Sequence, residues 1–401
     1  MPIAFADRLN NVETSAIREL FKLLGKPGII SFAGGFPDSA LFDVDGIRIA
    51  ANAALTNEPG AALQYGATEG YQPLRQEIAS FMGQKGCTDL APEQLIVTTG
   101  SQQALDLLGK TLISPGDKVI VEGPTFLATI QCFKLYGAEL ISAPVDGDGV
   151  QPDALDRLIE EHRPKFVYLI PTFGNPSGAL LTEERRRQVL ALAVKHQTLI
   201  VEDDPYGDLY FDAPPPPSLL ALSASVPGSR ELLVHCGSLS KVLSPGLRVG
   251  WMVGPAELLA KATMCKQFSD AHTSTFAQAT AAHYLKSGRM QGTLERVRKV
   301  YAERAHAMGE ALRREMGGAI DFVQPAGGLF VWARLTGQNG RLADGAELAK
   351  RAIENNVAFV PGAPFYANNP DLSTLRLSFA TVGVDKIEEG IQRLGASLQQ
   401  A

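Results

Sequence analysis

Lys241 is the residue whose neighbours point most directly to covalent chemistry. It closes the segment Gly237-Ser238-Leu239-Ser240-Lys241, just past a predicted strand, and Arg248 follows it. An amine among small hydroxyl residues, with an arginine nearby, suits a lysine that forms a Schiff base beside a phosphate. Taken alone, the segment favours a solvated lysine in a polar loop, because most lysines are exposed.

Asp203 lies in a run of three acids, Glu202 to Asp204, that closes an apolar strand. Buried carboxylates are unfavourable unless they meet a cation, and a pyridinium nitrogen would supply one. Tyr206, three residues on, could donate to a phenolate oxygen. Asn175 in the segment GNPSG is the other plausible donor, although such a segment is also an ordinary turn.

The segment Gly100-Ser101-Gln102 follows a predicted strand and opens a predicted helix. A helix N-terminus offers free N–H groups and a positive dipole, which suit a phosphate. Without other context an N-cap serine is the better interpretation. The recurrence of such residues just after strand ends indicates a site, because ligands of parallel sheets bind at the carboxyl ends of the strands.

The elements that position these residues alternate between short apolar runs and helical patterns from about residue 91 onward. Continuous runs of valine, isoleucine and leucine between helices predict strands that are buried on both faces of a mainly parallel α/β sheet. The predicted strands cover residues 95–99, 118–123, 138–143, 166–171, 198–204, 232–237 and 249–254.

A second, smaller α+β domain is predicted at the C-terminal end. One long helical pattern covers roughly 275–315, and strand-like segments and an amphipathic helix at 344–355 follow it. We expect three parts: an N-terminal segment 1–45 that completes the small domain and the substrate pocket, a large domain 46–285, and a small domain 286–401.

The overall composition excludes several classes of function. A net charge of −6 argues against a basic surface that would bind nucleic acid or an anionic membrane. No apolar run approaches the length of a membrane span, and the first residues lack the apolar stretch of a signal peptide, so we predict a cytoplasmic protein. The spacing of the four cysteines predicts neither a metal site nor a redox pair, but reduced thiols at Cys87, Cys132, Cys236 and Cys265.

Taken in order, these sequence segments resemble one protein family across nearly the whole chain. They look like the class I/II, fold-type I aminotransferases that use pyridoxal 5′-phosphate (PLP), and most of all the 2-aminoadipate and kynurenine aminotransferase group. The resemblance implies a large PLP-binding domain with a mainly parallel seven-stranded sheet between helices. It rests on the segments SFAGGFPD, LQYGATEGYQPLR, TTGSQQALDL, NPSG, EDDPY, GSLSKVLSPGLRVGW and VAFVPG.

Carried over position by position, the resemblance implies a role for each cofactor residue. Lys241 would be the Schiff-base lysine and Asp203 the partner of the pyridine nitrogen, while Tyr206 and Asn175 would bond the 3-oxygen of the ring. The remaining group would hold the phosphate, and it consists of Ser101, Gln102, Ser238, Ser240 and Arg248. No metal is implied.

The substrate residues are implied in the same way. Tyr65 would reach the phosphate or the substrate across a dimer interface, and Arg376 would bind the substrate α-carboxylate. Ser15, Arg18 and Gly35 lie where this group of enzymes contacts substrate. Relatives use the arginine that matches Arg18 to meet a distal carboxylate, whereas spacing alone favours a solvated arginine on a helix.

Phe126 is the one departure from the pattern of the family. The ring-stacking position is commonly tyrosine in relatives, and here it is phenylalanine in the segment EGPTF. Stacking on the cofactor should survive because the apolar ring face is kept. Any hydrogen bond from the missing hydroxyl is lost, and this loss would affect cofactor tuning or substrate specificity.

The implied activity is transfer of an α-amino group to a 2-oxo acid such as 2-oxoglutarate, in a homodimer with shared active sites. The alternatives are another fold-type I PLP enzyme, such as a β-lyase, racemase or decarboxylase, and a PLP-binding module that senses an effector. Conversion of 2-oxoglutarate to glutamate would separate transamination from the other enzyme reactions.

Overall fold

The computed structural model describes residues 3, 5–9, 28–337 and 343–399. The predicted substrate residues Ser15 and Arg18 lie outside these ranges. The strands are β1 Ile30–Ser31, β2 Leu95–Thr98, β3 Lys118–Gly123, β4 Glu139–Asp146, β5 Gly149–Val150, β6 Phe166–Leu169, β7 Leu199–Asp204, β8 Leu233–Ser238, β9 Gly250–Val253, β10 Ile320–Phe322, β11 Phe330–Leu335, β12 Val357–Ala358, β13 Val360–Pro361 and β14 Thr374–Ser378.

The α-helices of the described residues alternate with these strands in the first two thirds of the chain. They are Val44–Asn57, Pro59–Leu63, Gln72–Gly83, Ser101–Leu112, Leu127–Leu135, Pro152–His162, Glu183–His196, Leu219–Leu222, Ala256–Asp270, Thr275–Lys286, Arg289–Met316, Gly345–Glu354 and Val384–Gln399. None of the described helices is both long and apolar enough to cross a membrane.

The large sheet has the strand order β2-β9-β8-β7-β6-β3-β4-β5. The pairs β3–β4, β3–β6, β6–β7 and β7–β8 are parallel, whereas β9 runs antiparallel to both of its neighbours. All residues of β2, β6 and β9 are buried, as their continuous apolar sequences predict for strands covered by helices on both faces. The prediction of an α/β fold with a mainly parallel sheet is therefore confirmed.

An eighth strand extends the sheet beyond the seven that the sequence predicts. The two residues of β5 pair antiparallel with the end of β4, and the first of them, Gly149, has a φ of 88°. A pair of residues is too short to form an apolar run, so periodicity alone does not reveal this strand.

The long helical pattern predicted over residues 275–315 is two helices. The first ends at Lys286 and the second begins at Arg289. Gly288 between them has a φ of 75°, a left-handed conformation that an α-helix cannot contain and that glycine adopts without strain. The prediction of one continuous helix was wrong at this point.

A four-stranded antiparallel sheet with the order β10-β11-β14-β13 forms the second structural unit. The N-terminal strand β1 pairs in parallel with β12, which joins the start of the described chain to this C-terminal region. The predicted division into residues 1–45, 46–285 and 286–401 stays a prediction.

Candidate functional site

The predicted site residues follow strands that end at one edge of the large sheet. β7 ends with Asp203 and Asp204, and its parallel neighbour β8 ends at Ser238, three residues before Lys241. β2 ends at Thr98, directly before the loop that leads to Ser101. The carboxyl ends of these strands therefore bring together side chains that are distant in sequence.

A cradle of hydroxyl, guanidinium and backbone N–H groups lies at the start of the helix Ser101–Leu112. Arg248 donates to the carbonyl of Thr99 at 3.1 Å and to Oγ of Ser240 at 3.4 Å. The backbone N–H of Ser240 in turn donates to Oγ of Ser238 at 3.1 Å. The structure thus brings Ser101, Ser238, Ser240 and Arg248 into one region, while the neighbouring Gln102 is exposed.

Two glycines make this close approach possible. A Cβ on Gly250 would lie 2.8 Å from the backbone nitrogen of Ser101, and one on Gly100 would lie 2.4 Å from an Arg248 guanidinium nitrogen. Gly100 also has a φ of 79° as the residue that precedes the helix. The free N–H groups at the helix start, with Arg248 beside them, form an electrostatic environment that fits a phosphate.

Asp203 presents a buried carboxylate with one free oxygen. Its side chain is 2% exposed, and Oδ2 accepts a hydrogen bond of 2.6 Å from the hydroxyl of Tyr168. Oδ1 is buried and has no partner among the described residues. Burial raises the pKa of Asp203 to about 6, against the hydrogen bond from Tyr168, which lowers it. An unsatisfied buried acceptor of this kind fits a cationic N–H group of a ligand.

Lys241 extends from the end of β8 toward the N-terminal segment. Its Nζ donates to the carbonyl oxygen of Gly35 at 2.7 Å, which places two of the predicted site residues in contact. Burial lowers the pKa of Lys241 to about 8, and the nearby cations Arg376 and Arg248 act in the same direction. A larger fraction of this amine is therefore neutral, and able to act as a nucleophile or base, than of an ordinary lysine.

Arg376 is held in the middle of β14 between two aromatic rings. The guanidinium carbon lies 4.2 Å from the ring centroid of Phe330 and 4.8 Å from that of Phe365. Its two terminal nitrogens donate to Oδ1 of Asn175 at 2.8 Å and to the carbonyl of Ala33 at 2.9 Å. Nε has no partner among the described residues. A buried, oriented guanidinium with a free N–H suits recognition of a carboxylate.

A chain of contacts joins Arg376 to the end of β7. Asn175, which accepts from Arg376, lies with its amide nitrogen 3.4 Å from the hydroxyl of Tyr206. Both Asn175 and Tyr206 are buried. Phe126 is half-buried at the start of the helix Leu127–Leu135. The predicted donors of the site are therefore neighbours in the structure.

Tyr65 is the predicted site residue that the fold leaves at the surface. Its side chain is 84% exposed, and its ring packs edge-on against that of His272 with centroids 5.7 Å apart. Within the described part of the chain, the predicted cofactor residues contribute no hydrogen bond or ring contact to Tyr65. Among the described residues of one subunit, Tyr65 therefore does not join the other predicted cofactor residues.

Sequence reasoning missed Tyr168, Phe330 and Phe365. Each is part of an apolar strand or turn segment, so each is typical of a core residue. The only sequence signal was the single hydroxyl of Tyr168 within the run FVYL. Among the described residues, no cluster of histidine, cysteine or acidic side chains has the arrangement of a metal site.

Comparison with known proteins agrees with this geometry. Residues 30–394 match the family model of the class I and II aminotransferases. The 2-aminoadipate transaminase of Thermus thermophilus is 44% identical over 398 residues, which are 99% of this chain and 96% of the relative. Aromatic-amino-acid aminotransferase 1 of Thermococcus litoralis is 36% identical over 99% of this chain and 94% of the relative.

A solved structure extends the comparison to three dimensions. The α-aminoadipate aminotransferase of Thermus thermophilus, complexed with N-(5′-phosphopyridoxyl)-L-leucine, is 40% identical and superposes with a TM-score of 0.89. The match covers 98% of this chain and 97% of the solved chain. The chain therefore belongs to the class I and II aminotransferase family and is a PLP-dependent transaminase.

Proposed function

We propose that the chain transfers the α-amino group of an acidic, aromatic or branched aliphatic amino acid to a 2-oxo acid such as 2-oxoglutarate. The observation that carries this proposal is Arg376, whose buried guanidinium is clamped between two rings and keeps Nε free. A carboxylate is the one group that amino acids and 2-oxo acids share. The same arginine can therefore bind both substrates in turn, as ping-pong kinetics requires.

The residues present fit PLP as the cofactor. The unpartnered Oδ1 of Asp203 would accept from the ring nitrogen, and Asn175 and Tyr206 would face the 3-oxygen of the ring. Phe126 would stack on the ring face. The phosphate would be held at the helix start by Ser101, Gln102, Ser238, Ser240 and Arg248.

In the proposed reaction, each of these residues of the chain has a separate role. When bound, PLP supplies an electron sink for the charge that develops as the Cα–H bond breaks. Lys241 would hold the cofactor covalently until substrate arrives, and its freed amine would move the proton from Cα. Arg376 would fix the substrate α-carboxylate. Asp203 would keep a negative charge beside the ring nitrogen.

The substrate range is proposed from named relatives. One relative is a 2-aminoadipate transaminase, another an aromatic-amino-acid aminotransferase, and a solved relative holds a phosphopyridoxyl-leucine adduct. A panel of amino donors assayed with 2-oxoglutarate tests the proposal, with glutamate formation as the readout. Substrate loss without glutamate would indicate the lyase, racemase or decarboxylase alternatives, which the relatives do not favour.

A cytoplasmic location is proposed from the sequence alone.

The lowered pKa of Lys241 predicts how the apoenzyme captures its cofactor. Only the neutral amine attacks an aldehyde, so the rate of PLP binding to apoenzyme should rise with pH through an inflection near 8 and then level off. Stopped-flow absorbance across pH 6–11 measures this rate. An inflection near the ordinary lysine value of 10.5 would contradict the proposed environment of the amine.

Arg18 is proposed as the residue that distinguishes acidic donors. Arg18→Ala should raise KM for glutamate and 2-aminoadipate about 10- to 100-fold, since a hydrogen bond between charged groups contributes about 1.5–3 kcal/mol. KM for leucine should change little, because leucine has no distal carboxylate. Steady-state kinetics with both donors measure the difference. An equal loss for leucine would indicate a structural role for Arg18.

We also propose a homodimer with shared sites. Large apolar side chains are exposed on the helices Val44–Asn57, Pro59–Leu63, Ala256–Asp270 and Thr275–Lys286, and Phe268 among them is 84% exposed. Tyr65 follows the helix Pro59–Leu63, in which Leu63 is exposed, and its ring contacts His272, which lies in the chain between the helices Ala256–Asp270 and Thr275–Lys286. Exposed apolar side chains concentrated in this way support a protein–protein interface. Tyr65 would then reach the site of the partner subunit.

Mixed dimers test the shared site. Equal amounts of Lys241→Ala and Tyr65→Ala subunits should recover about a quarter of wild-type activity, because half of the dimers are hybrids with one intact site each. Dissociation, mixing, reassociation and a turnover assay measure the recovery. The control mixes Lys241→Ala with Asp203→Asn, which should recover nothing because both residues serve the same subunit's site. Hybrid dimers of Lys241→Ala and Tyr65→Ala subunits that recover no turnover would refute the arrangement.

A further inference from the structure

The hydroxyl of Tyr168 and the carboxylate of Asp203 form a buried pair on neighbouring strands. Tyr168 on β6 pairs with Val201 on β7, so Asp203, two residues further along β7, is on the same face of the sheet. Tyr168 is 0% exposed, and its Oη donates to Oδ2 of Asp203 at 2.6 Å. In the described part of the chain no other donor reaches this carboxylate, and Oδ1 is left free.

Packing alone does not explain the hydroxyl of Tyr168. The ring packs edge-on against Phe133 with centroids 5.8 Å apart, a contact that phenylalanine would make equally well. Burying a hydroxyl is unfavourable unless it is hydrogen-bonded, and its partner here is Asp203. The bond takes up one carboxylate oxygen and fixes the rotation of the side chain, so the other oxygen has a defined direction.

The groups around Asp203 shift its pKa in both directions, and the hydroxyl of Tyr168 is one of those that lower it. Burial raises the pKa of Asp203, and the neighbouring acids Asp204 and Glu202 raise it further. The hydrogen bond from Tyr168 and the proximity of His235 lower it. A donor to the ionised form favours that form, so Tyr168 opposes protonation of the carboxylate directly.

We propose that Tyr168 is a positioning residue for the reaction: it aims Oδ1 of Asp203 at the cofactor ring nitrogen and keeps the proton of that pair on the nitrogen. The inference rests on the proposed function, in which Asp203 faces the ring nitrogen. A carboxylate that already accepts from a phenol is a weaker base. The shared proton therefore stays on the ring, where it increases the electron-withdrawing power of the cofactor.

Tyr168→Phe tests the inference through the cofactor itself. The variant is reconstituted with PLP labelled with ¹⁵N in the ring, and the nitrogen chemical shift should move toward that of unprotonated pyridine. We expect kcat to fall about 10- to 100-fold, the range for losing a hydrogen bond to a charged group, with KM for the amino donor little changed. Tyr284→Phe is the matched control, because Tyr284 is buried and donates to Asp43 at 3.0 Å.

Asp203→Asn in the same measurement tests the role of Asp203 separately from the role of Tyr168. An unchanged nitrogen shift in Asp203→Asn would refute the proposed role of Asp203. A changed shift there, with Tyr168→Phe indistinguishable from Tyr284→Phe, would overturn the role of Tyr168 alone. If Tyr168→Phe does not fold, 3-fluorotyrosine at position 168 replaces it. Its more acidic phenol should keep the ring nitrogen protonated to a higher pH than tyrosine does, and an unchanged pH dependence of the nitrogen shift would overturn the inference.

Discussion

Replacing Lys241 with alanine should lower kcat at least about a hundredfold, because one side chain has two tasks in the proposed function. The amine holds the cofactor and moves the proton at Cα, and acid–base catalysis by a positioned group alone contributes about 10²–10⁴-fold. In the part of the chain that the structure describes, the charged groups that act on Lys241 are Arg376 and Arg248. Guanidinium groups stay protonated, so neither arginine can replace the amine as a base.

Turnover, absorbance after dialysis and mass spectrometry after borohydride reduction measure the effect of Lys241→Ala. The wild-type protein should carry reduced cofactor on the peptide that contains Lys241, and the variant should carry none. Lys110→Ala is the control, because Lys110 lies on the helix that begins at Ser101 but is exposed and paired with Asp106 at 2.7 Å. Label on another lysine, or substantial turnover in Lys241→Ala, would refute the assignment.

Seven strands of the large sheet were predictable because each is an apolar run closed by turn or polar residues. The residues of β6, for example, are all buried, so its sequence has no polar alternation that could be confused with a surface strand. The strand β5 and the break at Gly288 were not predictable. Both depend on a few residues whose conformation is set by a turn or by a left-handed glycine, not by a repeating pattern.

The site, like the fold, has residues that the sequence could place and contacts that it could not predict. Spacing placed Asp203 at the end of a strand and Lys241 and Ser101 just after strand ends. Their roles came from the resemblance, because taken alone each has an ordinary structural interpretation. The partners of these residues could not be predicted. The bond from Tyr168 to Asp203 depends on which strands are neighbours and in what register, and Gly35 contacts Lys241 through a backbone carbonyl that every residue possesses.

Asp203→Asn is the second change for which we expect a large effect. Asparagine keeps the shape of the side chain and can still accept from Tyr168. It cannot carry the negative charge that, in the proposed function, keeps the ring nitrogen protonated. Removing one preorganised electrostatic partner typically lowers kcat about 10²–10³-fold, and we expect a loss in that range. The fold should survive, because the variant loses a buried charge that burial itself disfavours.

Steady-state kinetics and circular dichroism of Asp203→Asn check this expectation, with Asp204→Asn as the matched control. Asp204 is the next residue of β7, and its Oδ1 accepts from the backbone N–H of Gly207 at 2.9 Å, a bond that asparagine can keep. The control therefore changes the same charge one residue away without altering the group aimed at the ring. Equal losses in the two variants would mean that the general negative field matters and not the oxygen of Asp203. Near-normal turnover in Asp203→Asn would refute its proposed role as the partner of the ring nitrogen.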